Sequence, residues 1–437
     1  MTFHGRQSSA NPVLPTDLLE VAVNTRGRVG RVLLLSLVLL MTARTFQYFP
    51  GMSIPQELAF LLAPLGLMVV AARSRRAVGR TWAFETYIVL LMIAMPVWSG
   101  IAAQQAHGQP MLYGILSWRG YALMSVPLTL LYAMRSGWIL TQDIGRAFMA
   151  CAWFTLVLFA SMTLLLDPAD YLSYGIGFIE DRFVEGYRFK FSPVFATYAM
   201  FNYGVRAFRE HRPEFYLLAL LFFFFLFGSA GGRIFTVSVL ATTLLLMYRW
   251  GGMARFFQGG SALAVIALAM VGFGALIAPE STAERLNKFS QAFSVFATDA
   301  DDIDDASAAS RVLQTLVALP LIEERPLAGG GRVSAQWVEK SFAGLLGVYF
   351  YPDDIGLIGM VYQFGFVGTG LFALQLLFAW SYSQRLIRSR ANTVSDTCIA
   401  YLLYLLVSSV ATGAFVMFPE FSLLLIAVVA QQGLVDA

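Results

Sequence analysis

Two adjacent carboxylates, Asp353 and Asp354, stand directly before a long apolar stretch of the chain. A single aspartate at such a position typically caps the following helix by accepting hydrogen bonds from its backbone amides. Two adjacent aspartates exceed what a cap requires, so one of them is a candidate general base that removes a proton from a hydroxyl group. The sequence does not choose between the two, and capping stays the alternative interpretation.

A second group of candidates is cationic, and its members stand at or near boundaries between polar and apolar sequence. The group comprises Arg44, Arg119, Arg188, Arg233 and Arg311. An arginine at a membrane boundary is costly unless it faces a polar cavity or a partner, and its planar guanidinium suits bidentate binding of phosphate. The group predicts an anion site. Snorkelling or pairing with a carboxylate is the alternative, favoured for Arg44 and Arg119 taken singly.

Arg233 has the most specific setting of these cations, because it ends a small-residue turn, 228–233, between two apolar stretches. Small residues let the backbone approach a ligand closely, and the amides of a helix beginning there point toward an anion. The alternative is a tight hairpin whose arginine contacts lipid headgroups. The glycine triplet 329–331 lacks the Gly-Lys-Ser/Thr ending of a nucleotide-binding loop, so it predicts only a loop able to fold against a polar ligand.

Metal and nucleotide chemistry find no support in the sequence. Histidine occurs only at positions 4, 107 and 211, and both cysteines, Cys151 and Cys398, fall inside apolar stretches. Neither a metal site nor a disulfide is therefore predicted, and no cofactor or nucleic-acid partner is expected. His107 lies in the polar turn 104–110, where a solvent-exposed side chain is the expectation.

The elements that must position these residues are membrane-spanning helices. The chain has 437 residues, is 58% hydrophobic, 13% charged and has a mean hydropathy of +0.66. A soluble domain typically carries about twice that charged fraction, and a helical span needs about 20 apolar residues. We predict an all-α polytopic membrane protein with about twelve transmembrane helices. They lie near 31–48, 56–72, 84–103, 115–134, 144–166, 192–208, 214–230, 232–249, 260–278, 355–381, 396–417 and 419–434.

The arginines between these stretches predict the orientation of the chain. When the connecting segments are assigned alternately to the two sides of the membrane, most of the arginines in short segments fall on the same side as the N-terminus. By the positive-inside rule this side is the cytoplasm, and both termini lie there. The predicted organisation is a cytoplasmic tail (1–30), helices 1–9 (31–279), an outer loop with short helices (280–352) and helices 10–12 (353–437). Within the outer loop, residues 310–323 have helical spacing, and the acidic run 299–305 is expected to be solvated. An interfacial helix is expected in a second outer segment, 167–191.

Taken in order, four features resemble the O-antigen ligase and Wzy-type polysaccharide polymerase superfamily. They are Tyr187-Arg188-Phe189 before a span, the small-residue turn ending at Arg233, Ser310-Arg311 with Pro326-Leu327-Ala328-Gly329-Gly330-Gly331, and a polar residue before Ile355-Gly356-Leu357-Ile358-Gly359 and Gln363–Gly368. The closest similarity covers about 185–380. It implies a bacterial inner-membrane protein of GT-C-like fold, with its active site on the periplasmic face.

The resemblance implies an enzyme that acts on sugar chains linked to undecaprenyl pyrophosphate, without a metal. It implies that Arg233 and Arg311 hold the pyrophosphate leaving group, with Arg188 in support, and that Asp353 and Asp354 activate the acceptor hydroxyl. Arg332, Arg119 and Lys190 complete the expected substrate-binding set, and fixed arginines would stabilise the departing charge. Membrane lipids and a chain-length regulator (a polysaccharide co-polymerase) are the expected partners.

Three functions are compatible with these features. The first is a polymerase that lengthens an O-antigen, capsule or exopolysaccharide by repeat units. The second is a ligase that transfers glycan to lipid A core or to a protein; related ligases carry a histidine near the position of Asp353, and this chain has none there. The third is a polysaccharide or lipid transporter, which predicts charged residues at mid-membrane and an inverted repeat. The span centres are largely free of charge and no repeat is evident, so the polymerase is preferred.

Overall fold

The computed structural model describes residues 25–47, 49, 51–74, 81–174, 179–181, 187–229, 233–277, 306–339, 342–347, 349–387, 392–413 and 419–435. These residues form an almost entirely helical bundle. Its helices are α1 (Thr25–Thr42), α2 (Ser53–Arg73), α3 (Trp82–His107), α4 (Met111–Ser117), α5 (Ser125–Arg135), α6 (Thr141–Leu165), α7 (Val194–Glu210), α8 (Pro213–Ser229), α9 (Arg233–Ile277), α10 (Ala306–Glu324), α11 (Phe342–Leu346), α12 (Gly356–Ile387), α13 (Thr393–Thr412) and α14 (Pro419–Val435). The predicted all-α class is confirmed.

Five helical segments in the described part of the chain are long and apolar enough to cross a membrane. They are Ser53–Arg73, Trp82–His107, Thr141–Leu165, Pro352–Gln384 and Thr393–Val410. Shorter apolar helices are Pro213–Phe227, Phe235–Trp250 and Pro419–Gln432. Large apolar side chains such as Leu61 and Leu62 of α2 are exposed, as expected of a surface that faces lipid. The count of twelve spans stays a prediction.

One predicted span, 115–134, is not a continuous helix. The chain there passes from α4 through a 3₁₀ helix, Arg119–Met124, into α5. Gly100 and Gly114 allow α3 and α4 to approach closely, since a Cβ on Gly114 would lie 2.6 Å from the Gly100 Cα. The apolar composition predicted one continuous helix over this region, and the structure divides it into two α-helices joined by the 3₁₀ helix.

The two ends of the bundle differ in what covers them. At one end, the paired end, Arg28, Arg135 and Arg209 pair with carboxylates of neighbouring helices. At the other, the loop end, the described residues of the segment 306–355 pack against α3, α12 and α13. The helix predicted over 310–323 is confirmed as α10. Phe342 and Phe350 of this segment form a small core with Tyr362 of α12.

The second predicted loop segment, 167–191, does not form an interfacial helix in its described residues. It contains a 3₁₀ turn, Pro168–Tyr174, and two three-residue strands, β1 (Ile179–Asp181) and β2 (Tyr187–Phe189). The strands pair antiparallel with Glu180 opposite Arg188. Alternating aromatic and charged residues favour a two-faced strand over a helix here, and Phe189 is buried beside Tyr171.

Candidate functional site

The site is built on a break in α12. Gly365 has φ 63° and ψ −177°, which interrupts the helical hydrogen bonds within an apolar segment. The loop 326–331 fills the break: the amides of Gly330 and Gly331 donate to the carbonyls of Tyr362 and Gln363, at 2.7 and 2.9 Å. Non-helical backbone at membrane depth requires such partners, because lipid offers none. The break is therefore a fixed joint between the loop and the bundle.

The glycine triplet is needed for this joint. Gly329 and Gly331 have φ of 72° and 70°, values that favour glycine. A Cβ on Gly329 would lie 2.5 Å from the Gly365 amide nitrogen, and one on Gly331 would overlap the Ser99 carbonyl. The triplet was predicted as a loop able to fold against a polar ligand. In the structure it folds against the polar backbone of the broken helix, and its contact with a ligand stays a prediction.

Arg332 follows the triplet, and its backbone is clamped to α3 and to the polar turn after it. Its amide donates to Ser99 Oγ at 2.9 Å, and its carbonyl accepts from Gln109 Nε2 at 3.1 Å. Ser99 Oγ also accepts from Trp118 Nε1 at 2.8 Å. The guanidinium lies over the Trp118 ring, with Cζ 4.5 Å from the ring centroid. The quadrupole of the Trp118 ring attracts the guanidinium and holds it in place, and the N–H groups of the guanidinium can still donate hydrogen bonds.

Asp353 faces this arginine. Its Oδ2 lies 3.6 Å from Arg332 Nη2, and its Oδ1 accepts a 2.9 Å hydrogen bond from Gln363 Nε2. Gln363 is buried two residues before the break at Gly365, so its hydrogen bond ties the Asp353 carboxylate directly to the joint. Asp353 thus interacts with side chains and not, as the capping alternative predicted, with the helix amides through its carboxylate.

Asp354 lies in the same 3₁₀ turn, Pro352–Ile355, but meets different neighbours. Its side chain is exposed and within electrostatic range of Arg311 on α10. Burial raises the pKa of Tyr349, the Asp354 carboxylate raises it further, and Arg311 lowers it, so the three side chains share one environment. Gln314 lies one turn after Arg311, and its Oε1 accepts a hydrogen bond from the Tyr351 amide at 2.7 Å. This bond fixes the turn Pro352–Ile355 to α10.

A buried ion pair lies beside these groups. Arg44 Nη2 is 3.7 Å from Glu420 Oε1, and the Glu420 side chain is 0% exposed. Tyr121, fully buried, is within electrostatic range of Arg44, Glu420, Arg332 and Asp353. Five loop-end elements therefore bring two arginine–carboxylate pairs around one tyrosine.

The remaining predicted site residues are placed elsewhere or only in part. Arg119 forms a close two-oxygen ion pair with Glu57, and both side chains are about half exposed, at 45% and 47%. Arg188 and Lys190 lie on and just after β2, both partly exposed. Arg233 begins α9; its side chain and the turn 230–232 lie outside the described residues. The acidic run 299–305 lies outside them as well.

Several side chains at the site carry no strong signal in the sequence. Gln363 and Glu420 are single polar residues in largely apolar sequence, and Trp118 is an aromatic residue next to Arg119. His107, expected to be exposed, is half-buried: its Nε2 lies 3.5 Å from the Tyr362 hydroxyl, and its ring packs on Phe342. The fold of segment 306–355 over the end of α3 covers it, and that packing is not visible in local composition.

The arrangement places Arg332 beside Asp353 and Arg311 near Asp354 at one end of an apolar bundle. This combination can bind an anion and accept a proton close to it. Neither a family model nor a curated protein matches the sequence.

Proposed function

We propose that the protein is a polymerase that joins oligosaccharide repeat units linked to undecaprenyl pyrophosphate. The carrying observation is the joint at Gly365, which sets Arg332 beside Asp353 at the end of an apolar bundle. A lipid-linked pyrophosphate presents its charge at such a boundary while its chain stays in the bilayer. The family resemblance of the sequence supports the same substrate class, and the rigid seat of the cation supports electrostatic catalysis.

The reaction is a glycosyl transfer between two lipid-linked chains. The hydroxyl oxygen of the acceptor sugar forms a bond to the anomeric carbon of the donor, and the bond between that carbon and the pyrophosphate oxygen breaks. The electron pair leaves with undecaprenyl pyrophosphate, whose charge Arg332 and Arg311 stabilise. The hydroxyl proton passes to a carboxylate, so the product is a chain longer by one repeat unit.

We assign the proton acceptor to Asp354. Both oxygens of Asp353 face partners, Gln363 and Arg332, whereas no hydrogen bond reaches the Asp354 carboxylate from the described residues. Asp353 then holds Arg332 in place, and Asp354 meets the acceptor hydroxyl beside Arg311. A general base needs an oxygen within hydrogen-bond reach of the proton that it removes, which the exposed Asp354 provides.

The cellular setting belongs to the same proposal. The protein would lie in a bacterial inner membrane with twelve spans in a GT-C-like arrangement, both termini in the cytoplasm and the loop end in the periplasm. Arg233 and Arg188 would extend the anion site, and a polysaccharide co-polymerase would limit chain length. Binding of the lipid and of the sugars would position the two reactants.

The test is polymerisation by purified protein in nanodiscs, given undecaprenyl-pyrophosphate-linked repeat units from the host. We expect a ladder of longer lipid-linked glycans. In Arg332→Ala and Arg311→Ala the rate should fall by about 10²–10³-fold, the usual cost of losing one donor to developing charge. Arg206→Ala is the matched control: its arginine is exposed, pairs with Glu210 and lies at the paired end, so its rate should match that of wild type.

Transfer of finished glycan onto lipid A core, with no ladder, would replace the polymerase by a ligase. No transfer with verified native substrate would overturn the enzyme proposal. Equal loss in all three arginine variants would instead show that arginine removal damages the fold, so the folded fraction of each variant is measured by gel filtration in detergent.

A further inference from the structure

Glu420 is buried without the partners that a buried carboxylate needs. It lies in the first turn of α14, and neither of its oxygens accepts a hydrogen bond from any described residue. Its one described cation is Arg44, at 3.7 Å. Burial of an unsatisfied carboxylate is costly, so its presence in a well-packed core requires an explanation beyond packing.

The backbone of Arg44, the cation beside Glu420, is strained. Its φ of 50° lies in the left-handed region, which is uncommon for a residue with a side chain and is concentrated at functional sites. The guanidinium fits against Gly120, where a Cβ would lie 2.9 Å from Arg44 Cζ, and it stands 5.5 Å from the Phe60 ring centroid. The arginine thus occupies a slot that only glycine leaves open.

The slot leads to the proposed active site through a short path. Gly120 belongs to the 3₁₀ turn Arg119–Met124, which directly follows Trp118. Trp118 carries the Arg332 guanidinium on its ring and shares Ser99 Oγ with the Arg332 amide. Tyr121 of the turn packs on Trp118, with ring centroids 4.6 Å apart. A displacement of Arg44 would therefore move the surface on which Arg332 rests.

We propose that Glu420 is a positioning residue of this site. Its negative charge holds the Arg44 guanidinium in the Gly120 slot, the turn Arg119–Met124 is thereby fixed, and Trp118 keeps Arg332 beside Asp353. Glu420 touches neither the substrate nor the reacting atoms. Its effect on catalysis rests on the proposed function, whereas its effect on the turn does not.

The experiment compares Glu420→Gln, which keeps the shape and removes the charge, with Glu420→Asp, which keeps the charge and shortens the side chain. The control is Glu57→Gln, which removes the exposed partner of Arg119 on the same turn. Hydrogen–deuterium exchange of peptides covering 118–124 and 330–334 is measured in nanodiscs. The rate of glycan extension per folded protein and the thermal midpoint are measured on the same samples.

In Glu420→Gln we expect faster exchange in both peptides and an extension rate lower by about tenfold or more, because a misplacement of about 1 Å in a positioned group can cost up to about 10²-fold. Glu420→Asp should restore much of the rate even if its thermal midpoint is the lower of the two. Glu57→Gln should exchange as wild type does. This order separates positioning by charge from simple stability, because a structural role would make the rate follow the thermal midpoint.

Unchanged exchange in Glu420→Gln, or a rate that follows the thermal midpoint through the series, would overturn the proposal. If wild type extends no glycan while Glu420→Gln still loosens both peptides, the proposed function fails and the link from Glu420 to Arg332 stands. The two failures are therefore distinguishable.

Discussion

The paired end and the loop end of the bundle use the same residue types in different ways. At the paired end, Glu85 is saturated: Thr81 Oγ1 and Tyr132 Oη donate to it at 2.7 and 2.9 Å, and Arg135 Nη1 lies 2.7 Å away. Asp143 similarly faces Arg28 at 3.2 Å and the Leu140 amide. These carboxylates have their partners within the fold, as buried charges that serve structure require.

Two loop-end pairs are looser, although the exposed Arg119–Glu57 pair at the same end is as close as those of the paired end. Arg332 and Asp353 are 3.6 Å apart, Arg44 and Glu420 are 3.7 Å apart, and Glu420 lacks hydrogen bonds from the described residues. A charged side chain that is held in place by backbone and ring contacts, and that forms no close ion pair, is suited to bind a charged ligand. The difference between saturated and unsaturated carboxylates separates structural ion pairs from candidate functional ones, which residue type alone does not.

Replacing Asp354 by asparagine should give the largest effect. The change removes the proton acceptor while preserving size, so we expect glycan extension to fall by about 10²–10⁴-fold, the range for loss of a general base. Stability should change little, because the side chain is exposed. The measurement is single-turnover extension of lipid-linked glycan, with thermal unfolding in parallel. A rate close to that of wild type would remove Asp354 from catalysis and leave Asp353 as the base.

Replacing Arg135 by methionine should lower the stability and leave the rate of extension unchanged, the reverse of Asp354→Asn. It leaves Glu85 buried without its cation, which costs about 3–5 kcal/mol of stability, while the rate per folded protein should stay unchanged. Thermal unfolding and the extension assay measure the two quantities. The double variant Arg135→Met/Glu85→Gln is the control and should recover most of the stability. If the single variant loses activity per folded molecule as Asp354→Asn does, the division between the two ends is incorrect.

The sequence predicted the helices better than it predicted their interruptions. Long apolar stretches mark α2, α3, α6 and α12 because burial in lipid imposes length and composition on each segment separately. The break at Gly365 is not marked, since glycine is common in membrane helices and only the loop 326–331 makes an open backbone tolerable there.

The site shows the same limit. Asp353, Asp354, Arg311 and Arg332 stand out because charge beside apolar sequence is visible locally. Glu420 does not stand out, because its role depends on Arg44, which is far away in the chain and lies beside it only in the folded structure. Local patterns find charged residues, and tertiary contacts decide which of them are saturated.

The joint between the two parts of α12 can be tested by Gly365→Ala. An added Cβ would overlap the Leu327 carbonyl, and φ 63° is unfavourable for alanine. We expect a loss of about 2–4 kcal/mol of stability from backbone strain and overpacking, together with faster hydrogen exchange at Gly330 and Gly331. Gly370→Ala is the matched control, since a Cβ there meets no atom within 4 Å. Equal stability of the two variants would show that the loop does not depend on the break.

The smallest effect is expected for Arg119→Ala, and it gives the sharpest use of the comparison between saturated and unsaturated pairs. Arg119 lies at the loop end and resembles a ligand-binding arginine in sequence, but both oxygens of Glu57 face its guanidinium, at 2.8 Å from Nε. An exposed pair of this kind contributes about 0.2–1 kcal/mol. Neither the folding equilibrium constant nor the rate of extension should therefore change by more than about fivefold. Titration of the extension rate against lipid-linked donor checks this. A clear rise in KM would place Arg119 on the substrate after all, and saturation by a carboxylate would then no longer distinguish the arginines that hold the fold from those that hold the ligand.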